Sequence, residues 1–294
     1  MSTPVPSIYR TEQGARAVEA RYRELLAQWP VPNTHLRIPT REGETFVIAS
    51  GPVDAPPLLL FHGSAFNSVS WMGDVAAWAE RFRVYAVDVI GHPGLSAPSR
   101  PAYASAAHAL WIEDVMGGLG IERAAIAGIS LGGWLGIDFA ARYPQRVSAL
   151  VLLAPGGVGR ELMTMPKLLF TVLPLLLLGE WGRRRAMIRM LGPSLFGDAA
   201  ETQTVVEFTS LINRHFRQRL DKLERFGDEV LGRLTMPVLL IIGAQDPMLD
   251  SAETRQRLAA ALPDLEVIEL PDIGHAVVGQ TVSIRRFLAQ RIAT

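Results

Sequence analysis

The first fifty residues combine one helical pattern with two short strand patterns. Between residues 11 and 29, apolar side chains recur every three or four positions, which predicts an amphipathic helix that Pro30 and Pro32 end. Residues 35–38 and 45–50 have strand character and are joined by a polar turn. This part of the chain is therefore predicted to form a helix followed by a β-hairpin.

Six short apolar runs then appear, each followed by a turn and, in most cases, a helical stretch such as 103–118 or 131–143. The runs span residues 58–61, 84–87, 124–127, 149–153, 238–242 and 267–270. A strand that is apolar on both faces is typical of a sheet buried between two helix layers. We therefore predict an α/β fold with a mostly parallel central sheet and helices on both faces.

The alternation of strand and helix stops between residues 156 and 234, where no convincing strand occurs. Helical runs at 166–178, 183–191 and 202–226 predict an all-helical cap inserted between two strands of the sheet. The chain would then consist of a core domain, residues 1–155 with 235–294, and a cap or lid, residues 156–234. Such an excursion lies over the edge of the sheet where α/β proteins bind ligands.

Composition narrows the classes of protein. Apolar residues make up 49% and charged residues 20%, as in soluble globular proteins. The 29 basic and 29 acidic residues cancel, so no long-range charge attracts nucleic acid or an anionic membrane. The chain has no cysteine, and its six histidines lack the spacing of a metal site, so we expect no metal and no cofactor.

The pattern of apolar residues predicts neither a signal peptide nor a membrane span. The first residues lack the basic start and apolar run of a signal peptide. The most apolar stretch, residues 168–178, is too short to cross a bilayer and is interrupted by Pro174. We therefore expect a cytoplasmic protein with no membrane span.

One motif carries candidate chemistry. Gly128-Ile129-Ser130-Leu131-Gly132 follows the strand at 124–127 and opens the helix at 131–143. A strand, a tight glycine turn and a helix form the nucleophile elbow, which exposes the serine oxygen at its tip. Ser130 is therefore a candidate nucleophile. The alternative interpretation is an ordinary glycine-rich turn with a capping serine.

A serine nucleophile needs a base, and the base needs an orienting acid. Asp246 lies in the loop that follows the strand at 238–242, and His275 lies in the loop after the strand at 267–270. Alone, each is as well explained as a turn aspartate before proline or a surface histidine. Together with Ser130 they follow the chain order Ser, Asp, His that this architecture requires, which predicts a catalytic triad.

The same chemistry needs two N–H groups that stabilise an oxyanion. The expected donors are the backbone N–H of Leu131, directly after the nucleophile, and that of Ser64, in the loop after the early strand at 58–61. We expect His62 to hold this loop in place and the turn at 88–96 to serve packing.

On these motifs the sequence resembles the α/β-hydrolase family over nearly its whole length, in the branch with a helical cap, and is most similar to bacterial carboxylesterases. The resemblance implies Ser130 as nucleophile, His275 as base and Asp246 as its partner. A serine nucleophile argues against the haloalkane dehalogenases and epoxide hydrolases of the family. The C–C hydrolases that cleave ring-opened aromatics usually carry a tryptophan after the catalytic histidine, where this chain has Ala276.

We therefore expect a hydrolase of uncharged, fairly hydrophobic carboxylic esters, with a small-molecule ester as its substrate and no nucleic acid as a partner. Two alternatives remain open: C–C hydrolysis or acyl transfer by the same triad, and a hydrolase-fold binding protein without chemistry. The apolar run at 168–178 could pack the cap on the core, line the acyl pocket through residues such as Leu173, or form an apolar lid surface.

Overall fold

The core of the protein is one mixed sheet. A computed structural model describes residues 8–163, 170–192, 200–219 and 221–292, and eight strands of this part form the sheet in the order β1-β2-β4-β3-β5-β6-β7-β8. β2 runs antiparallel to both of its neighbours, and the other neighbouring pairs are parallel. The strands are β1 Asn33–Thr40, β2 Gly43–Ser50, β3 Pro57–Phe61, β4 Arg83–Val87, β5 Ala124–Ile129, β6 Val147–Leu153, β7 Val238–Gly243 and β8 Leu265–Leu270.

Helices cover both faces of this sheet, as the sequence predicts. One hydrophobic cluster joins the sheet to α3, α4, α8 and α9, and a second joins its other face to α1, α2, α7 and α10. The helices are α1 Glu12–Leu26, α2 Val75–Trp78, α3 Ala107–Gly118, α4 Leu131–Arg142, α5 Leu173–Leu176, α6 Gly179–Leu191, α7 Ala200–His215, α8 Asp228–Leu231, α9 Ser251–Ala261 and α10 Thr281–Arg291. The predicted α/β fold is confirmed.

The sequence of α1 explains why this segment forms a helix. Thr11 caps α1 by accepting a hydrogen bond from the Gly14 N–H. Val18, Tyr22 and Leu25, spaced by three or four residues, are all buried. The apolar stripe predicted from the sequence is thus the face that joins the hydrophobic cluster on one side of the sheet.

The predicted helix at 202–226 is wrong in its second half, because α7 ends at His215. Phe216 forms an antiparallel bridge with Tyr9 instead. The Arg10 N–H donates to the His215 carbonyl at 2.8 Å, and the Arg217 N–H donates to the Ile8 carbonyl at 2.8 Å. Pairing with a distant segment ends the helix, and periodicity within residues 202–226 carries no sign of that partner.

The apolar run at 168–178 also differs from the expectation of core packing. Residues 164–169, and with them part of the predicted helix at 166–178, lie outside the described residues. Of the rest, Val172 is buried, whereas Phe170, Leu173, Leu177 and Leu178 are exposed. Most of the described run therefore faces solvent.

Candidate active site

Ser130 occupies a strained turn between β5 and α4. Its backbone lies at φ 52° and ψ −106°, a region that a residue with a side chain rarely adopts. Hydrogen bonds on both sides hold it there: its N–H donates to the Leu153 carbonyl at 2.9 Å, and its own carbonyl accepts from Gly156 at 3.1 Å. The turn presents the half-buried serine side chain at the carboxyl edge of the sheet.

The glycines of the motif are needed for close approach. A Cβ at Gly128 would collide with the backbone of Gly132, and a Cβ at Gly132 would collide with the Phe61 carbonyl on β3. The turn is therefore packed against its own helix and against a neighbouring strand at distances that exclude any larger residue.

The loop after β8 brings His275 to the serine. The Ser130 Oγ lies 3.0 Å from His275 Nε2, and His275 Nδ1 lies 2.7 Å from Asp246 Oδ2. A carboxylate accepts the Nδ1 proton, which leaves Nε2 to accept the serine hydroxyl. The three predicted residues thus form one continuous hydrogen-bonded chain, with only 5% of His275 and 7% of Asp246 exposed.

The orientation of Asp246 is fixed by the backbone. Its second oxygen, Oδ1, accepts hydrogen bonds from the N–H groups of Met248 at 2.7 Å and Leu249 at 3.0 Å. The loop itself is tied to the start of the segment at 156–234, because the Leu162 N–H donates to the Met248 carbonyl at 2.7 Å. Both carboxylate oxygens are therefore occupied when the acid faces His275.

The loop after β3 lies beside the nucleophile. A Cβ placed at Gly63 would be 3.8 Å from the Ser130 Cβ, and Ser64 follows directly in an exposed position. On the other side, Leu131 is the first residue of α4, where backbone N–H groups have no partner within the helix. The two N–H groups predicted for the oxyanion therefore belong to segments that flank the Ser130 side chain.

Two buried histidines hold this loop. The Val89 N–H donates to His62 Nε2 at 2.9 Å, and His62 Nδ1 donates to the Gly63 carbonyl at 2.8 Å. The Ala65 N–H donates to His92 Nδ1 at 3.0 Å. Burial lowers the pKa of His62, and burial together with the nearby His62 lowers that of His92 further. Both rings are thus neutral and hold the loop backbone by hydrogen bonds, which is the role expected for His62.

Asp88 connects the same region to α1 through hydrogen bonds. This fully buried carboxylate accepts hydrogen bonds from the Tyr22 hydroxyl at 2.8 Å, the Ser68 hydroxyl at 2.7 Å and the Leu95 N–H at 2.8 Å. It links α1 to the loops after β3 and β4. A packing role was expected for the turn at 88–96 that begins with Asp88. The partner Tyr22 was not expected, because Tyr22 fits the apolar stripe of α1 equally well.

The segment at 156–234 borders the site on two sides. Gly192, just after α6, lies so close to Gly274, the neighbour of His275, that a Cβ on it would be 2.8 Å from the Gly274 Cα. The Phe208 ring of α7 lies 5.9 Å from Phe66, two residues beyond Ser64. Phe208 is fully buried and also stacks on Tyr22 at 6.2 Å.

The described residues lack two further features. They contain no group of three or more histidine, aspartate or glutamate side chains placed to hold a metal ion. Across the same residues, no helix has the length and apolar character needed to cross a bilayer.

A serine on a strained turn, a histidine and a carboxylate, joined in this order on the strand ends of a mostly parallel sheet, have the arrangement of a serine-hydrolase triad. Residues 56–280 match the family described as alpha/beta hydrolase fold. The chain belongs to this family.

Several proteins are similar to this chain in sequence or in structure. A carboxylesterase of Bacillus subtilis (strain 168) named nap is 31% identical over 282 residues, which are 94% of this chain and 91% of that protein. The crystal structure of naproxen esterase (carboxylesterase NP) from Bacillus subtilis matches with a TM-score of 0.75 and 28% identity, covering 97% of this chain and 98% of that one. A 2-hydroxy-6-oxononadienedioate/2-hydroxy-6-oxononatrienedioate hydrolase from Pseudomonas sp is 28% identical over 239 residues, 74% of this chain and 81% of its own.

Proposed function

We propose that this protein hydrolyses carboxylic esters through an acyl-enzyme on Ser130. The observation that carries the proposal is the unbroken hydrogen-bonded chain from Ser130 Oγ through His275 to Asp246. It is supported by the carboxylesterase names of relatives that match nearly the full length of this chain.

In the proposed first half-reaction, the Ser130 oxygen attacks the ester carbonyl carbon while its proton moves to His275 Nε2. The carbonyl oxygen becomes an oxyanion, which the N–H groups of Ser64 and Leu131 stabilise. The C–O bond to the alcohol then breaks, and His275 returns the proton to the leaving alkoxide. The acyl group is left as an ester of Ser130.

The second half-reaction repeats these steps with water as the nucleophile. His275 removes a proton from water, the hydroxide adds to the acyl carbon, and Ser130 leaves with the proton that His275 holds. Asp246 stays ionised and stabilises the charged imidazole in both halves. The two backbone N–H groups on Asp246 Oδ1 keep its other oxygen aimed at His275 throughout.

We further propose that residues 156–234 form a helical cap that selects fairly hydrophobic, uncharged substrates. The apolar side chains next to the site support this. The Leu223 Cδ1 would be 2.7 Å from a Cβ on Gly156, whose N–H is bonded to the Ser130 carbonyl. The pair Phe66 and Phe208 lies on the opposite side, along the loop of Ser64.

The same triad could instead cleave a C–C bond, and the Pseudomonas relative named above favours keeping that alternative. Ala276 weakens it, because the C–C hydrolases that this sequence resembles usually have tryptophan there. Acyl transfer would need an alcohol or amine to outcompete water at the acyl-enzyme. A binding protein without chemistry would not require all three triad residues.

One experiment separates ester hydrolysis from C–C hydrolysis and from binding without chemistry. The wild-type protein is assayed with p-nitrophenyl butyrate and, in parallel, with a ring-opened 2-hydroxy-6-ketodienoate, each against Ser130→Ala. Ester hydrolysis that needs Ser130, with at most slow turnover of the ketodienoate, supports the proposal. The reverse preference would make the protein a C–C hydrolase, and inactivity on both substrates would favour a binding protein.

A further inference from the structure

A group of large apolar side chains faces solvent around α5 and the start of α6. Eight large apolar side chains are exposed in the described part of the chain, and five of them lie between residues 170 and 181. They are Phe170 at 77% exposure, Leu173 at 47%, Leu177 at 84%, Leu178 at 57% and Trp181 at 61%. We refer to these five residues as the outer apolar face.

The five residues lie within twelve consecutive positions of the chain. Leu173 is in α5 and Trp181 is in the first turn of α6, whereas Phe170 precedes α5 and Leu177 and Leu178 join the two helices. Other side chains of this segment are packed inward, with Val172 3% and Ala186 2% exposed. A surface helix normally turns its polar side to water, and a contiguous apolar face rimmed by charge marks an interaction site.

Positive charge lies next to this face. Residues 170–192 contain four arginines and one acidic residue, although the whole chain has no net charge. Arg185 and Arg189 are exposed, and the Arg185 guanidinium carbon lies 5.6 Å from the centre of the Trp181 ring. Apolar and tryptophan side chains beside arginines are the composition of elements that lie in the interface of an anionic membrane.

We propose that the outer apolar face docks on an anionic lipid–water interface, without crossing it. A second copy of the chain fits less well, because a symmetric contact would bring the arginines of both copies together. The absence of net charge is compatible with docking, since the attraction is local to α6 and acts within a Debye length of the surface.

This contact would also place the site near the interface. From Trp181 to Gly192, α6 extends for about 16 Å, and Gly192 touches the loop of His275. An ester dissolved in the lipid layer would then be presented at the proposed cap. Docking goes beyond the proposed ester hydrolysis and can be measured on the inactive Ser130→Ala variant, so either proposal can fail without the other.

Trp181 provides a reporter for the experiment. The other five tryptophans are buried, none more than 7% exposed. Ser130→Ala protein is titrated with vesicles of phosphatidylglycerol and phosphatidylcholine whose acyl chains carry bromine, a contact quencher of tryptophan. We expect part of the fluorescence to be quenched, and we expect Trp181→Phe to bind these vesicles in a flotation assay without that quenching.

Matched substitutions test which side chains act. Leu177→Glu should lower vesicle partitioning at least ten-fold, whereas Val53→Glu, at a position 76% exposed in the loop between β2 and β3, should leave it unchanged. Each of Arg185→Gln and Arg189→Gln should weaken partitioning into anionic vesicles roughly five-fold. Hydrolysis of a short, water-soluble ester should be the same in the Leu177→Glu and wild-type proteins.

Three results would overturn the proposal. The first is the absence of vesicle binding at low salt. The second is binding that Val53→Glu weakens as much as Leu177→Glu. The third is a dimer that Leu177→Glu dissociates, which would assign the face to a second copy of the chain.

Discussion

Both oxygens of Asp246 are held, Oδ2 by His275 Nδ1 and Oδ1 by two backbone N–H groups. In Asp246→Asn the backbone N–H groups of Met248 and Leu249 would still require an oxygen, so the amide nitrogen would turn toward His275 Nδ1. The imidazole would then be held in the wrong tautomer. We expect kcat for ester hydrolysis to fall by about four orders of magnitude, as triad aspartate substitutions do.

Asp250→Asn is the matched control, since Asp250 is only four residues away. Its Oδ1 caps α9 by accepting from the Glu253 N–H at 3.0 Å, and asparagine caps helices equally well. Its ion pair is with Arg160, whose side chain is 67% exposed, and such pairs contribute little. Loss of activity in this variant with an active Asp246→Asn protein would move the acid role to Asp250.

His108 makes a different kind of prediction, because it affects stability and not chemistry. Its ring is 2% exposed, its Nδ1 is without a hydrogen bond among the described residues, and it stacks on Tyr103 at 5.1 Å. Burial, with a smaller effect of Arg219, lowers the pKa of His108 to about 4. Between this value and its ordinary pKa of 6.5, the unfolded chain binds a proton that the folded protein does not.

The free energy of unfolding is therefore expected to fall as the pH drops from 6.5 toward 4, by about 2–3 kcal/mol on account of His108. His108→Phe keeps an aromatic ring and should remove this contribution. Urea unfolding of both proteins at pH 7.5 and pH 4.5 measures it, since the effects of His62 and His92 are common to both and cancel. Parallel losses in the two proteins would show that His108 titrates normally.

The sequence predicted the three residues that the structure joins by hydrogen bonds because each lies in the loop after a strand, and the ends of parallel strands meet at one edge of a sheet. The sequence did not predict which side chains hold the surrounding loops by hydrogen bonds. His92 reaches Ala65 across 27 positions, and Tyr22 reaches Asp88 across 66. No local pattern indicates such partners, since a polar side chain acquires them only when the chain has folded.

At the level of helices and strands, the turn from β5 to α4 depends on glycine for its packing. Gly132→Ala would place a Cβ on the Phe61 carbonyl of β3, and neither backbone can move without breaking the sheet. We expect this variant to lose more than about 4 kcal/mol of stability, in the range of severe core substitutions.

Gly117→Ala is its matched control. Gly117 lies in α3, and a Cβ there would meet nothing within 4 Å. This substitution should stabilise the protein by about 0.5–1 kcal/mol, because alanine restricts the unfolded chain and favours the helix. Thermal unfolding of both variants measures the contrast, and similar melting temperatures would mean that the turn is more loosely packed than its geometry indicates.

A helix or strand could be predicted from the sequence when residues within it determine where it forms and ends. The eight strands follow from apolar runs and turns, and α1 follows from its stripe. α7 was predicted eleven residues too long because its end depends on pairing between Phe216 and Tyr9, more than 200 positions apart. The exposure of the outer apolar face could not be predicted for a related reason. Periodicity locates the apolar face of a helix but does not show whether another part of the protein covers it.

At the scale of the whole molecule, the proposed cap should determine which acyl length of the ester substrate is preferred. Each additional CH₂ buried between the core and residues 156–234 is worth about 0.8 kcal/mol, close to a four-fold gain in kcat/KM. With p-nitrophenyl esters from acetate to decanoate, below their micelle concentrations, kcat/KM should rise over the first carbons and then fall. A flat profile, or a preference for acidic acyl groups, would contradict a hydrophobic pocket.

Leu173 serves as the control in that series. The sequence left it as a possible lining residue, but 47% of its side chain is exposed on the outer apolar face. Leu173→Trp should therefore leave the preferred acyl length unchanged. A shift toward shorter acyl groups would place Leu173 in the pocket after all.

The identity of the nucleophile is tested most directly by covalent labelling. The protein is treated with a fluorophosphonate, digested, and the labelled peptide identified by mass spectrometry. We expect one label per chain, on Ser130, and none on Ser130→Ala, whose kcat should be lower by about a million-fold. A label on another serine, or a Ser130→Ala protein that still hydrolyses esters, would contradict the proposed mechanism.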